Sequence, residues 1–410
     1  MQPQKWKGMD WSFLIKDKTS LCVTTDSRKI TPGCVFVALK GEHFDGNDFV
    51  EQARADGAAY IISGENALVE LQDLARAWRR ELGLPILGIT GTNGKTTTKE
   101  LCAAVLSTKY NLYYTQGNLN NQLGVPLTLL SITRAHQMAI VEMGASHPGD
   151  IKELVEIAEP NYGLITNVGR AHLQGFGSFE GVMRTKAELY DFLVAHNGTI
   201  FRNADNPYLV QMLETSRSRD HEITKSRIIE YHTGSMPEGT HLVGGYNAEN
   251  VSAAICVGRY FGVSEEDALA AIRAYIPSNN RSQLMQTERN TVVVDAYNAN
   301  PTSMTAAIEA FGRSQESGVR NQDCYILGAM RELGEYSHLE HQNIVNMLLE
   351  RKADRVLLVG DEYKETTAPY PVFDNVEALY DYLQQHPISD CRILLKGSRS
   401  NQLEKIIPLL

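Results

Sequence analysis

The sequence predicts an α/β protein of three domains, and three observations carry that prediction. Uninterrupted apolar runs of strand length alternate with amphipathic helical stretches, the pattern of a mainly parallel sheet covered on both faces. At about 150 residues per domain, 410 residues correspond to two or three domains. Breaks at Gly83-Leu84-Pro85 and at Ile276-Pro277-Ser278-Asn279-Asn280, the second reading as a hinge, divide the chain into blocks 1–82, 83–276 and 277–410.

The first block is a small α/β unit. Strand-like runs such as Cys34-Val35-Phe36-Val37-Ala38-Leu39 are punctuated by Pro32-Gly33 and Asp45-Gly46. The spacing of Leu68, Leu71, Leu74, Ala75 and Trp78 predicts a closing helix over 68–82. The second block opens on the buried-type strand Ile86-Leu87-Gly88-Ile89-Thr90, then a Gly-containing loop, then a helix through Leu101, Cys102, Val105 and Leu106. Two more such strands, Met138–Val141 and Leu164–Thr166, and a helix over Phe179–Leu193 extend it. The third block is a smaller, Rossmann-type unit. Its strands are Thr291–Val294, Cys324–Leu327, Arg355–Val359 and Arg392–Leu395, separated by helical segments at Ser303–Phe311, His338–Leu349, Val376–Leu383 and Gln402–Ile407.

Composition narrows the function. Hydrophobic residues at 43% and charged residues at 21% exclude a disordered tail, a collagen-like repeat and a small disulfide scaffold. A net charge of -10 is a poor match for a nucleic-acid backbone, so any phosphate binding must be local. The cysteines (Cys22, Cys34, Cys102, Cys256, Cys324, Cys391) form no CxxC pair, which argues against a zinc knuckle or a redox pair and fits a reducing cytosol. Residues Met1–Lys7 lack the apolar run of a signal peptide, and no stretch approaches 18 apolar residues. A soluble, cytoplasmic protein with no membrane insertion is expected.

The segment Gly91-Thr92-Asn93-Gly94-Lys95-Thr96-Thr97 lies between a predicted strand and a predicted helix. Glycines let backbone N–H groups close on phosphate oxygens, and a helix N-terminus favours negative charge. Lys95 suits β/γ-phosphates and Thr96 suits Mg²⁺. The usual loop has glycine six residues before the lysine; here that position is Ile89, flanked by Gly88 and Gly91, so the loop is a variant. The reading is an ATP site.

Three further residues carry chemistry. Glu142 follows a strand and faces the ligand crevice of such a fold, where it is either a solvated carboxylate or an Mg²⁺ ligand beside Thr96. His172 also follows a strand, in Asn167-Val168-Gly169-Arg170-Ala171-His172, and reads as structural or functional. Lys186 sits inside the apolar stripe of Val182, Met183, Leu189, Tyr190 and Leu193. It either snorkels or is held neutral, and a neutral amine can take up CO₂ as an anionic, metal-binding carbamate.

With those residues in one order and spacing, the chain resembles the Mur ligase family over nearly its whole length. Supporting stretches are Asp26-Ser27-Arg28, Pro32–Leu39, Gly117-Asn118-Leu119-Asn120-Asn121, Glu142-Met143-Gly144, Asn167–Gly177, Asp295-Ala296-Tyr297-Asn298-Ala299-Asn300-Pro301 and Lys396-Gly397-Ser398-Arg399-Ser400. Many relatives have Ser where Ala296 stands and Asp where Ala329 stands. No Asp-Asn-Pro-Arg motif, the mark of members adding the third amino acid, occurs here. The third block resembles instead the members that add D-alanyl-D-alanine to UDP-N-acetylmuramoyl-tripeptide.

The resemblance implies a UDP-binding first domain, a P-loop-type ATPase middle domain and a Rossmann-like ligase domain. It implies ATP-driven amide formation through an acyl phosphate, two Mg²⁺ ions, and a monomer with small-molecule substrates. Lys95, His172 and Lys186 would be catalytic. Thr96 and Glu142 would hold one ion, with His172 and carbamylated Lys186 at the other. Asn250, Arg281 and Asp295 would approach ATP. Ser27 and Arg28 would meet the uridine nucleotide, Asn298, Asn300, Lys396, Ser398 and Arg399 would line the dipeptide side, and Asn118 and Asn120 would also meet substrate. The 277–410 block is expected to swing onto the middle block when ATP binds, since an acyl phosphate must be kept from water.

Other readings predict different behaviour. A ligase for the third amino acid, or for folate polyglutamate, shares the chemistry with another acceptor. A P-loop NTPase would turn over ATP with no acceptor and leave Lys186 without a role. A non-catalytic sensor would bind nucleotide with no turnover.

Overall fold

The computed structural model describes residues 9–42, 44–219, 225–277, 280–313 and 322–410. Ser278 and Asn279 of the expected hinge, and the N-terminal segment Met1–Lys7, lie outside the described residues. Strands β1 (Val23–Thr24), β2 (Val35–Val37) and β3 (Tyr60–Ile62) form a small parallel sheet in that order. The middle sheet takes β4 (Ile86–Thr90), β5 (Leu112–Tyr114), β6 (Met138–Glu142), β7 (Tyr162–Ile165), β8 (Thr199–Asn203) and β9 (Arg227–Tyr231). Its order is β5-β6-β4-β7-β8-β9, all parallel. The last sheet takes β10 (Gln283–Gln286), β11 (Thr291–Asp295), β12 (Gln322–Gly328), β13 (Arg355–Val359), β14 (Val372–Phe373) and β15 (Cys391–Lys396). Its order is β10-β11-β15-β12-β13-β14, parallel except for the edge strand β10.

The middle sheet is buried on both faces because successive side chains point to opposite sides. In β6, Met138 and Ile140 enter the core under the helices Lys95–Leu106 and Asn247–Tyr260, while Ala139 and Val141 enter the opposite core. In β4, Leu87 and Ile89 join the first of these and Ile86 the second. That arrangement needs a continuous apolar run, which is what made these strands legible.

Each predicted strand is present within two residues of its expected ends, but short or half-polar strands such as β8, β9 and β10 carry no comparable run and were missed. The segment after Gln402 is the 3-10 helix Leu403–Leu409, which contains Pro408, whose missing N–H disfavours an α-helix. Leu68, at the edge of its stripe, is left exposed while Ala67 takes the buried position.

The helix Ala67–Leu82 joins the first sheet to the middle domain. Its stripe packs with Val35, Val37 and Ile62 on one side and with Val125, Leu129 and Ile132 on the other. Trp78 is fully buried and donates from Nε1 to the Ile132 carbonyl at 2.9 Å. Trp78→Ala is expected to destabilise the fold by about 4 kcal/mol, read as a lowered urea midpoint; an unchanged midpoint would show the helix to be a dispensable strap.

One expectation fails here. Cys22 and Cys34 are joined as a disulfide. Val23 stands opposite Val35 in the parallel pair β1–β2, so the preceding residue of each strand is also brought side by side. Sequence spacing cannot register that, because the pairing depends on strand register. Cys102, Cys256, Cys324 and Cys391 are free thiols. Among the described residues, no helix is long and apolar enough to cross a membrane.

Candidate active site

Parallel sheets present ligands at the carboxyl ends of their strands, and here those ends converge on one cavity of about 590 Å³. The loop after β4 begins it. Gly91 and Gly94 have φ values of 144° and 77°; a Cβ on Gly91 would collide with Thr166 Oγ1, and one on Gly94 with the Asn250 side chain. Neighbouring strand ends hold the loop open. Thr166 Oγ1 donates to the Asn93 carbonyl at 2.6 Å, and Asn93 N–H donates to Asn167 Oδ1 at 3.0 Å. Lys95 curls over the loop, donating to the carbonyls of Gly91 (2.7 Å) and Thr92 (3.0 Å). Burial brings its ammonium pKa down to about 8, against the opposing pull of Glu142.

Glu142 is the last residue of β6 and is 1% exposed. Its Oε1 accepts from Thr96 Oγ1 at 3.2 Å and from Asn120 Nδ2 at 2.8 Å, whereas buried Oε2 has no hydrogen-bond partner among the described residues and faces the Lys99 ammonium at 3.6 Å. A buried carboxylate whose Oε1 sits beside a threonine hydroxyl at the cavity suits a hard divalent cation that takes its remaining ligands from phosphates and water. No cluster of three or more His, Cys, Asp or Glu side chains forms a metal cage among the described residues. The residues fit Mg²⁺ carried in with a nucleotide rather than an all-protein cage.

His172 stands in the left-handed region at φ 50°, where it starts the short helix Leu173–Phe176. Burial holds its pKa below the ordinary imidazole range, although Glu332, packed against Nδ1, opposes this. The imidazole is therefore neutral near pH 7 and keeps a lone pair. Lys186 is 2% exposed, 5.6 Å above the Phe176 ring. Burial first, and Lys95 second, push its amine well below the usual lysine value. Of the two readings of its sequence position, the snorkelling one fails: the side chain is enclosed.

The third domain closes the cavity. Because Asp295 and Lys396 are register partners in β11 and β15, they meet as an ion pair at 2.6 Å. Lys396 also donates to the Asn298 carbonyl at 3.2 Å, so its charge is already matched. The Arg281 guanidinium lies 3.8 Å over the Tyr297 ring, with Nε buried and without a hydrogen-bond partner among the described residues; Arg399 approaches the same ring at 5.4 Å. Asn300 Nδ2 donates to Asn93 Oδ1 at 2.7 Å, joining the third domain directly to the phosphate loop. Thr302 Oγ1 accepts from the Arg170 N–H at 3.0 Å and Glu340 accepts from Arg170 Nη1 at 2.9 Å, so the two domains meet beside the cavity.

The cavity brings together Thr92, Asn93, Gly94, Lys95, Thr96, Thr97, Asn118, Asn120, Glu142, His172, Asn250, Arg281, Asp295, Asn298 and Lys396 from the expected set. Gly91, Lys186, Asn300, Ser398 and Arg399 stand behind or beside its lining. Ser27 and Arg28 lie in the first domain outside it, with Arg28 in a two-pronged pair with Asp26 (2.9 Å each). Sequence reasoning missed Thr166 and Asn167 as supports of the loop, Glu332 as the neighbour of His172, and Lys99, which is buried against Glu142. Only for Lys99 was a signal present: it lies three and four residues after Thr96 and Lys95, hence on their face of the helix.

Comparison with known proteins gives one family throughout. The Mur ligase middle-domain model matches residues 89–258, the Mur ligase glutamate ligase domain model residues 280–399, and the Mur ligase family catalytic-domain model residues 21–105. The UDP-N-acetylmuramoyl-tripeptide--D-alanyl-D-alanine ligase of Bacillus subtilis is 33% identical, over 94% of this chain and 92% of that protein. The ligase of the same name from Escherichia coli is 34% identical over 96% and 94%. Among solved structures, MurF ligase from Thermotoga maritima in complex with ADP has a TM-score of 0.83 at 26% identity, covering 96% of this chain and 98% of that one. MurF from Acinetobacter baumannii has a TM-score of 0.81 at 28% identity over 94% and 92%.

Proposed function

The chain belongs to the Mur ligase family, and from that premise we infer that it is the ATP-dependent ligase joining D-alanyl-D-alanine to UDP-N-acetylmuramoyl-tripeptide, a step in making the peptidoglycan precursor. The observation that carries this reading is the cavity itself. The phosphate loop with its desolvated Lys95 and the buried carboxylate Glu142, all from the middle domain, face Asp295 and Asn298 of the third. Action as a monomer on small-molecule substrates is part of this reading. ATP and UDP-linked precursors are cytoplasmic compounds, which supports a cytoplasmic location.

In the reaction, the terminal carboxylate of the UDP-linked peptide attacks the γ-phosphorus of ATP, and ADP leaves. The amine of D-alanyl-D-alanine then attacks the acyl phosphate, a proton is lost, and the tetrahedral adduct collapses to amide and phosphate. Catalysis of such transfers is largely positioning and charge neutralisation. Lys95 supplies a cation to the β/γ-phosphates, the loop N–H groups orient them, and Arg281 Nε offers one more donor. Thr96 and Glu142 would hold one Mg²⁺, with His172 and a carbamate on Lys186 beside a second; such ions would neutralise phosphate charge. The carbamate forms when the neutral Lys186 amine bonds to CO₂ and releases a proton. Closure of the third domain over the loop, through Asn300 and Thr302, keeps water from the acyl phosphate.

Phosphate release from MgATP is expected only when UDP-N-acetylmuramoyl-tripeptide and D-alanyl-D-alanine are both present, with the matching product mass. Release with the corresponding UDP-dipeptide and diaminopimelate or lysine would move the chain to the preceding ligase step. Release with no acceptor would make it a nucleoside triphosphatase.

A further inference from the structure

Lys99 has no part in the chemistry above, yet it is among the most enclosed charged residues of the chain. Its side chain is 1% exposed, with Nζ 3.6 Å from Glu142 Oε2, 3.9 Å from Glu100 Oε1 and 5.8 Å from the Tyr114 ring centroid. Glu100 is itself engaged, accepting from the Tyr275 hydroxyl at 2.5 Å. Glu142 is thus divided between two groups from one helix. Thr96, with Asn120, holds Oε1 on the cavity side, and Lys99 alone faces the otherwise unpartnered Oε2. A lysine buried at such cost is kept only if its charge is matched, and Glu142 is the nearest anion. The pair therefore carries little net charge toward the cavity.

We propose that Lys99 is a positioning residue that makes divalent-cation binding at Glu142 conditional on the nucleotide. It fixes the carboxylate with Oε1 toward Thr96 and cancels its charge, so a free cation gains little there. Only when nucleotide phosphates add their own negative charge does the site hold the ion. This rests on the ATP-site reading above. It also accounts for a metal site with a single protein carboxylate, which by itself would draw free Mg²⁺ into a cleft with nothing to activate.

Mn²⁺ titration followed by the electron paramagnetic resonance signal of the free ion tests it. The wild-type protein is expected to bind Mn²⁺ weakly alone and tightly with a non-hydrolysable ATP analogue, beyond the Mn²⁺ that the analogue takes up in a protein-free control. Lys99→Met, which keeps length and removes charge, is expected to bind Mn²⁺ alone at least about tenfold more tightly, while Lys99→Arg behaves as wild type. Unchanged or weaker Mn²⁺ binding by folded Lys99→Met, the result of a merely structural role, overturns the proposal. Should that variant not fold, the wild type decides: equally tight binding with and without nucleotide overturns it. Nucleotide-dependent binding retained by Lys99→Arg supports it. Failure of the wild type to bind Mn²⁺ with the analogue would instead overturn the ATP-site reading, which keeps the two failures apart.

Discussion

Lys95→Met is expected to lower kcat/KM for ATP by about 10³-fold, the scale of removing one preorganised charge partner of a transferring phosphoryl group. The loop itself should survive, because Thr166 and Asn167 still hold it when the two lysine hydrogen bonds are lost. In the free enzyme Lys95 lies over the Gly91 and Thr92 carbonyls, with its pKa brought down to about 8 by burial. Phosphate favours the protonated amine. Below about pH 8 the ammonium is already formed and ATP affinity should be insensitive to this group. As pH rises through that value, binding must take up a proton and the Kd should worsen, by up to about tenfold per pH unit. The wild-type profile measured by calorimetry should bend near pH 8 and that of Lys95→Met should not. The same bend in both would assign the titration elsewhere.

Lys186→Ala is expected to lose about 10²-fold in kcat and to regain part of it with formate or acetate. The amine is enclosed on the face that also carries Leu189 and Leu193, and burial, with Lys95 second, pushes its pKa well below the usual lysine value. An unprotonated amine is the form that reacts with CO₂, and the carbamate would put a negative charge in place of that amine near His172. A small carboxylate added to the alanine variant should occupy the vacated space and restore that charge. Equilibration of the wild type with ¹³CO₂ should give a carbamate resonance absent from the variant. Full activity of Lys186→Ala with no added carboxylate would remove the carbamate from the mechanism.

The parts of the site legible in the sequence share a property. Gly91–Thr97, Glu142 and His172 follow apolar strand runs, and Lys186 interrupts an apolar helical stripe, so each is marked by its immediate neighbours. Lys99 is not marked in that way. Its place on the helix face of Lys95 and Thr96 aims it toward the loop, but its neighbours are those of a solvated lysine, and the packing of its helix beside β6 is what encloses it. Lys396 shows the converse. By its turn it belongs to the dipeptide side, yet its charge is taken up by Asp295, 101 residues away in sequence. Asn300, expected against the dipeptide, is seated on Asn93 of the phosphate loop.

By itself the sequence determined the alternation of strands and helices, the phosphate loop and the strand ends around it, because apolar period and turn chemistry act over a few residues. The tertiary structure alone decided which charges are partnered. Glu142 with Lys99, Asp295 with Lys396, Asn93 with Asn300 and Cys22 with Cys34 are set by strand register and domain contact. Once water is excluded, the partner of a charge is whatever the fold has put within a few ångströms of it, and no local pattern records that distance.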